Sequence, residues 1–513
     1  MSYARNVLLT LAATVGVCVV TAGASAGNFT VAPLKTVSGV SPFAGCTAGA
    51  APGSVLYPNA EEEPWADANP ANPLNLIAVW QQDRWSDGGA HGLVTAVTHD
   101  GGVTWTETYP HFSTCAGGTV ANGGDFDRSS DPWVSFGPDG TAYQVSLSFN
   151  ATNNVNAVLA SRSINGGDNW SEPWTIIRDS GDRDVSYAFN DKESVTADPL
   201  TAGYAYAAWD RFVTPSGTSR ESIEGLIHSR SFREPIWFSR TTDGGLTWEP
   251  ARNIYDQSEF NGTIGSQILV AKNGDVLDFF DEFFINKNAH KSRGEWMSVI
   301  RSTDKGVTWT KNSTKIAPSR ERVAFDPDTG RNIRAEGGIP DVAIDHASGA
   351  LYIVWQDASF SGVDEIAFSM STDNGLTWSM PIKVNRTPRS ATEANQQAFV
   401  AGVHVTPNGT VGVTYYDFRN NDANAGVPTD YWIVHCHANC TNPTSWSGAD
   451  AESRLTTTSF DIEQAPAARG PFGYFLGEYE GLTNIGNSFV PVFVAVNNGN
   501  PANRTDVFET SAG

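Results

Sequence analysis

Short apolar runs recur along the chain in pairs, each pair joined by a polar turn that usually contains glycine. The clearest reads Pro340-Asp-Val-Ala-Ile-Asp-His-Ala-Ser-Gly-Ala-Leu-Tyr-Ile-Val-Trp-Gln-Asp357, where two runs flank a turn at Asp345 to Gly349. Runs this short, rich in β-branched and aromatic residues and bounded by turn residues, predict strands, and each pair predicts a hairpin. Related pairs occupy 69–80, 131–147, 193–209, 264–280, 397–415 and 479–493. With no helical period between them, the pairs predict an all-β array of hairpins.

A second repeat lies between the hairpins. It reads Thr98-His-Asp-Gly-Gly-Val-Thr-Trp105, and returns as octamers ending at Trp170, Trp248, Trp309 and Trp378. A degenerate further copy surrounds Trp446. The third position is Asp100, Asn165, Asp243, Asp304 or Asp373, a side chain that accepts hydrogen bonds from its own turn. The fifth position is always glycine (Gly102, Gly167, Gly245, Gly306, Gly375), as a left-handed backbone requires. The closing Trp offers a large apolar anchor. A motif of this kind braces turns and carries no catalysis. Its recurrence at roughly 60–80 residues is the spacing of one four-stranded propeller blade per unit.

These octamers resemble the Asp-boxes, or bacterial neuraminidase repeats, of the sialidase-like β-propellers. The resemblance spans nearly all of the chain after its first 26 residues. It implies a single propeller over 27–513, seven-bladed by the hairpin count, with the six blades of the sialidases as the alternative. Phe29 to Val37 would supply the missing outer strand and close the ring. The family's chemistry uses three arginines that clamp a substrate carboxylate, a Tyr–Glu nucleophile pair and an Asp acid–base. The Phe-Arg-Ile-Pro motif that carries its first arginine is absent, and Phe232-Arg-Glu-Pro235 stands in a different place.

Composition narrows the partners. A net charge of −23 repels nucleic acid and anionic membranes. Arg5, the apolar stretch Val7 to Val20 and Ala24-Ser-Ala26 predict an export signal over 1–26, so the rest is expected to be secreted, soluble and monomeric. Its removal leaves Cys46, Cys115, Cys436 and Cys440 in an oxidising compartment. Four cysteines allow three pairings. The expected one joins Cys436 to Cys440 as a local brace and Cys46 to Cys115; zinc held by Cys436, His437 and Cys440 is the minority alternative. No cofactor is expected. Structural calcium is an open alternative, although no loop has the Asp-x-Asp-x-Asp-Gly spacing.

Strand parity locates the chemistry. If the octamer joins third and fourth strands, first-strand starts and second-strand ends share the opposite face. Those positions carry Glu61 to Glu63, Asp127, Arg128, Asp131, Asn190 to Glu193 and Glu478 to Glu480, then Asp83-Arg84, Asp210-Arg211, Asp281-Glu282, Asp357 and Asp417 to Arg419. Tyr479, Glu480, Glu193 and Asp131 are the candidate catalytic groups, with Glu193 or Asp131 serving Tyr479, because Glu480 beside it faces the other way. Arg84, Arg211, Arg419 and Arg128 are the candidate carboxylate binders. The bland alternative is that neighbours such as Asp83-Arg84 and Asp210-Arg211 pin loops as salt bridges. Three functions remain: a glycoside hydrolase acting on an acidic glycan, a polysaccharide lyase on the same scaffold, and a non-catalytic glycan- or protein-binding propeller.

Overall fold

The computed structural model describes residues 29–179, 186–215, 233–285, 292–335, 338–389, 392–448 and 450–513. The expected signal at 1–26 and most of the 215–235 insertion lie outside them. Among the described residues helix is limited to short 3-10 turns, and no helix is long and apolar enough to cross a membrane.

Antiparallel sheets follow one another along the chain: sheet 1 (56–108), sheet 2 (128–179), sheet 3 (186–255), sheet 4 (261–318), sheet 5 (341–383) and sheet 6 (398–454). Each is built on a meander of four strands in chain order, with sheets 1 and 2 joined where Ala90 pairs with Ser129 and a short strand, Phe460–Asp461, added to sheet 6. Sheet 7 (481–509) takes its outer strand, Lys35–Thr36, from the start of the chain, where Lys35 pairs with Glu509. Second strands such as Leu76–Trp85, Ala142–Phe149, Leu351–Asp357 and Val411–Asp417 are buried along their whole length. Packed on both faces, they read as apolar runs rather than as alternation. First strands of successive sheets touch one another, and that of sheet 7 touches that of sheet 1. The arrangement fits a β-propeller.

The octamers form turns whose closure is the same each time. In sheet 4 the Ser302 hydroxyl donates to Asp304 at 2.8 Å and accepts from the Gly306 amide at 2.8 Å. Asp304 also accepts the Thr308 amide at 2.8 Å and its hydroxyl at 2.6 Å. Gly306, at φ 81°, holds the left-handed turn. The octamer tryptophans then pack on the preceding sheet: Trp309 lies 5.3 Å from Phe238 and Trp378 lies 5.8 Å from Phe279, edge to face. Arginines bind the same seams from the other side. Arg162 donates to the Gly244 carbonyl at 2.8 Å, and Arg240 and Arg301 donate to those of Lys305 and Asn374.

Sheet 6 departs from the pattern. Where an octamer would stand, a Cys436–Cys440 disulfide closes the turn and Pro443–Trp446 follows as a 3-10 turn. Trp446 keeps the anchoring role, 5.0 Å from Phe368 of sheet 5, with its indole donating to the Cys440 carbonyl at 2.8 Å. Cys46 and Cys115 form the second disulfide. Both cysteine pairs are therefore disulfides, as the spacing of the local pair led one to expect. Trp446 is 2% exposed, so Trp446→Ala removes a packed indole from the sheet 5–6 seam. The expected cost is about 3–5 kcal/mol, measured by denaturant unfolding, with a smaller loss for the half-buried Trp309.

Candidate active site

Hairpin register sets which end of each sheet carries the octamer. In sheet 3, Ala197 pairs with Ala205 and Ala205 with Thr241, where the octamer begins, while Asn190 pairs with Arg211 at the far end. In sheet 1, Leu76 pairs with Thr98 at the octamer end and Arg84 pairs with Ala90 at the other. Arg84, Arg211, Arg419, Asp131 and Glu193 therefore sit at sheet ends away from the octamers.

A β-bulge interrupts the first strands of sheets 1, 2 and 3, between Glu62 and Trp65, Ser130 and Trp133, and Asp191 and Ser194. At each bulge one residue takes a left-handed backbone: Glu63 at φ 54°, Asp131 at 54° and Lys192 at 51°. Bulges re-aim side chains, and a non-glycine at positive φ is tolerated where its surroundings fix it. Here the three side chains meet. The Lys192 ammonium is 3.5 Å from Glu63 and 4.0 Å from Asp131, and it forms a close ion pair with Glu478. Asp131 accepts the Lys192 amide at 3.1 Å and the Ser130 hydroxyl at 2.5 Å.

Two guanidinium groups border this cluster. Arg84 is 3.1 Å from Glu62 and stacks 4.6 Å over Phe475. Arg334 donates to Glu478 at 2.6 Å and lies 4.9 Å over the same ring. Phe475 belongs to the strand Gly473–Phe475, which pairs in parallel with Ile333–Arg334. Tyr479 packs against Trp133 at 5.3 Å, and Trp133 stacks on Trp65 at 3.6 Å. The cluster is largely enclosed. Lys192 is 6% exposed, whereas the Arg334 side chain, at 22%, is its open edge.

Enclosure drives the protonation states apart. Burial, reinforced by Asp131, pushes the Glu193 carboxyl well above the usual carboxylate range. Burial also raises Asp131, but Lys192 and the hydrogen bonds from Ser130 and the Lys192 amide outweigh it, and Asp131 falls below its ordinary value. Burial lifts Glu62 to about 8 against the pull of Arg84. Tyr479 is raised well above its ordinary value by burial, then by Glu63, Asp131 and Glu193. An acid held protonated and a neighbouring carboxylate held ionised are the components of general acid–base chemistry.

The sequence candidates thus divide. Tyr479, Asp131, Glu193 and Arg84 come together. Glu480 points elsewhere, accepting the Tyr416 hydroxyl at 2.8 Å and the Val494 amide at 3.1 Å. Arg211 is bound to Asp179 at 2.6 and 2.7 Å and lies 4.7 Å over Trp237. Arg419 binds Asp417 at 2.6 Å and Glu452 at 2.7 Å, 3.7 Å over Trp432. Arg128 binds the Gly88 carbonyl at 2.6 Å and Asp87 at 2.9 Å. Arg84, Arg211 and Arg419 have separate acidic partners and share none of them. Adjacent Asp–Arg neighbours do not pin one another either: Asp83 pairs with His91 at 3.1 Å, and Asp210 accepts from Thr263 at 2.9 Å. The sequence placed Lys192 and Glu478 among the charged first-strand starts without giving them a role, and it did not single out Arg334. The shared Glu63-Pro-Trp65 and Asp131-Pro-Trp133 triplets were a usable signal for two of the bulges; nothing local marks Arg334. Among the described residues no group of three or more His, Cys, Asp or Glu side chains is placed to hold a metal ion.

No family model and no curated protein matches the chain. Solved structures that resemble it include the Hadza microbial sialidase Hz136, 16% identical, with 86% of this chain and 74% of that one covered and a TM-score of 0.45. The NanB sialidase from Streptococcus pneumoniae is 11% identical over 94% and 98% of the two chains, with a TM-score of 0.44. The α-L-arabinofuranosidase of Fusarium graminearum is 12% identical over 71% and 92%, with a TM-score of 0.40. Likeness at this level assigns no residue a role.

The buried acids make stability pH-dependent in a defined direction. Burial lifts Asp210, Asp341 and Asp364 to about 7 and Glu62 to about 8. The folded state therefore holds protons that the unfolded chain has lost above about pH 4, and stability falls as pH rises from there toward 8. The octamer acids act oppositely. Hydrogen bonds from Thr308 and Thr377 hold Asp304 and Asp373 at about 2, so their contribution is complete above about pH 4 and is lost toward pH 2. Thermal scans from pH 2 to 9 are expected to place the highest Tm near about pH 4–5, with a fall of at least about 5 °C by pH 8.

Proposed function

We propose that the chain is an exported, seven-bladed propeller that hydrolyses a glycosidic bond in an acidic glycan at the Lys192 cluster. The observation that carries the activity is the convergence of Tyr479, an ionised Asp131 and a protonated Glu193 beside the Arg84 and Arg334 guanidiniums. The cyclic contact of first strands and the pairing of Lys35–Thr36 with the last strand support the blade number and the closure. The two disulfides support an oxidising compartment.

In this reading Arg84 and Arg334 exchange their carboxylate partners, Glu62 and Glu478, for the substrate carboxylate. Tyr479 attacks the anomeric carbon as Asp131 takes its proton. Glu193 gives its proton to the departing glycosidic oxygen, then takes one from the water that releases the sugar. Arg211, Arg419 and Arg128 hold sheet ends and loops. A second reading has its own support: Lys192, Glu63 and Glu478 are so deeply buried and mutually neutralised that they suit a structural hub in a non-catalytic binding propeller.

Purified protein offered sialosides, uronate polymers and neutral glycans discriminates the readings. Hydrolysis predicts free reducing sugar without an unsaturated product, and a loss of at least about 100-fold in kcat for Glu193→Gln and Tyr479→Phe at unchanged Tm. A new double bond would point to a lyase. No turnover, with Tm lowered by Lys192→Met, would point to the hub. Arg211→Ala is expected to lower Tm while leaving kcat of the folded protein intact.

A further inference from the structure

Opposite the Lys192 cluster, at the octamer end of sheets 5 and 6, the repeating seam opens. At three seams an arginine just before the octamer crosses to the next sheet, as Arg162, Arg240 and Arg301 do, while Val97 holds that position between sheets 1 and 2 and packs against Gly167. In sheet 5 that position is Met370, which donates no such bond, and in sheet 6 the disulfide loop replaces the octamer that an arginine would reach. The result is a cleft of about 640 Å³ between the Trp378 turn and the Cys436–Cys440 loop. A cleft of that size is right for a small ligand.

Its chemistry selects the ligand. Trp378 and Tyr352 contribute aromatic surface, and Thr377, Thr441, Asn439 and His437 surround them with hydroxyl, amide and imidazole groups. The His437 ring is fixed through Nδ1 against the Thr410 hydroxyl at 2.9 Å, which leaves Nε2 for a ligand. No Lys or Arg lines the cleft, so nothing there recognises a phosphate, sulfate or carboxylate. The one lining carboxylate, Asp345, is engaged by the Ala347 amide at 2.9 Å and the Ser348 hydroxyl. Aromatic faces ringed by neutral donors and acceptors suit a molecule with apolar C–H faces and many hydroxyls.

We propose that this cleft binds a neutral sugar unit of a glycan, at a site separate from the Lys192 cluster. The proposal is independent of catalysis there. Saturation-transfer NMR with methyl glucoside, galactoside and mannoside and with N-acetylglucosamine tests it. The protein is made in a bacterium, so that the Asn408 sequon beside the cleft carries no glycan of its own. At least one sugar is expected to bind. Met370→Arg introduces the arginine found at three other seams and fills the cleft; it is expected to weaken that binding at least about tenfold while Tm stays within about 2 °C. Glu193→Gln, which alters the other site, is expected to leave binding unchanged. No binding of any of the four at about 10 mM would overturn the proposal. So would binding that survives Met370→Arg, or binding that is lost in Glu193→Gln.

Discussion

Everything in this protein depends on how one sheet is fastened to the next. A four-stranded sheet with both faces buried has no stability alone; each needs a neighbour on either side. The octamer meets that need with three interactions in a few residues. Its Asp or Asn gathers the turn's own amides, as Asp304 gathers Thr308. Its Trp covers apolar surface of the preceding sheet, and in three octamers a turn carbonyl receives an arginine from that sheet. The polar groups of a tight turn are thereby satisfied while an indole is buried, so the same turn caps one sheet and joins it to another.

The array uses a different device where the repeat ends. Sheet 7 has no octamer, and the start of the chain takes over its functions. Lys35–Thr36 supplies the outer strand, and Lys35 donates to the Gly102 carbonyl of the first octamer at 2.7 Å while pairing with Glu509 at 3.3 Å. Phe29 stacks 3.7 Å from His435, the residue of sheet 6 that occupies the position of Arg162, Arg240 and Arg301. Burial, with His437 nearby, keeps His435 low, at about 4, so it meets the aromatic ring as a neutral imidazole. A cation crossing to a carbonyl has become an aromatic stack, which fastens the start of the chain to sheet 6.

A tightly packed array of sheets of this kind can carry buried charges that a looser fold would expel. The bulges at Glu63, Asp131 and Lys192 bring acids and a cation together at sheet ends with little water around them. Desolvation then does the chemical sorting: Asp131, held by Lys192 and an amide, ionises, while Glu193, buried and facing Asp131, keeps its proton. The same effect spread over Asp210, Asp341 and Asp364 moves the whole molecule's preference toward acid.

The sequence by itself determined the strands, the turns and the ends of the sheets. Hairpins, octamer glycines and closing tryptophans are local features, written in neighbouring residues by backbone geometry and burial, and strand parity follows from them. It also placed Tyr479, Asp131, Glu193 and Arg84 at sheet ends away from the octamers. What it could not fix is which charged side chains meet, because that depends on contacts between residues hundreds of positions apart. Glu478 meets Lys192 of sheet 3 and Arg334 across separations of 286 and 144 residues, which only the packing of the sheets can bridge. Arg211 and Arg419 stand toward the ends of their second strands, as Arg84 does, yet Asp179 and Glu452, both on outer strands, claim them first. An ion pair forms with the nearest available partner in space, and only the tertiary structure decides which partner that is.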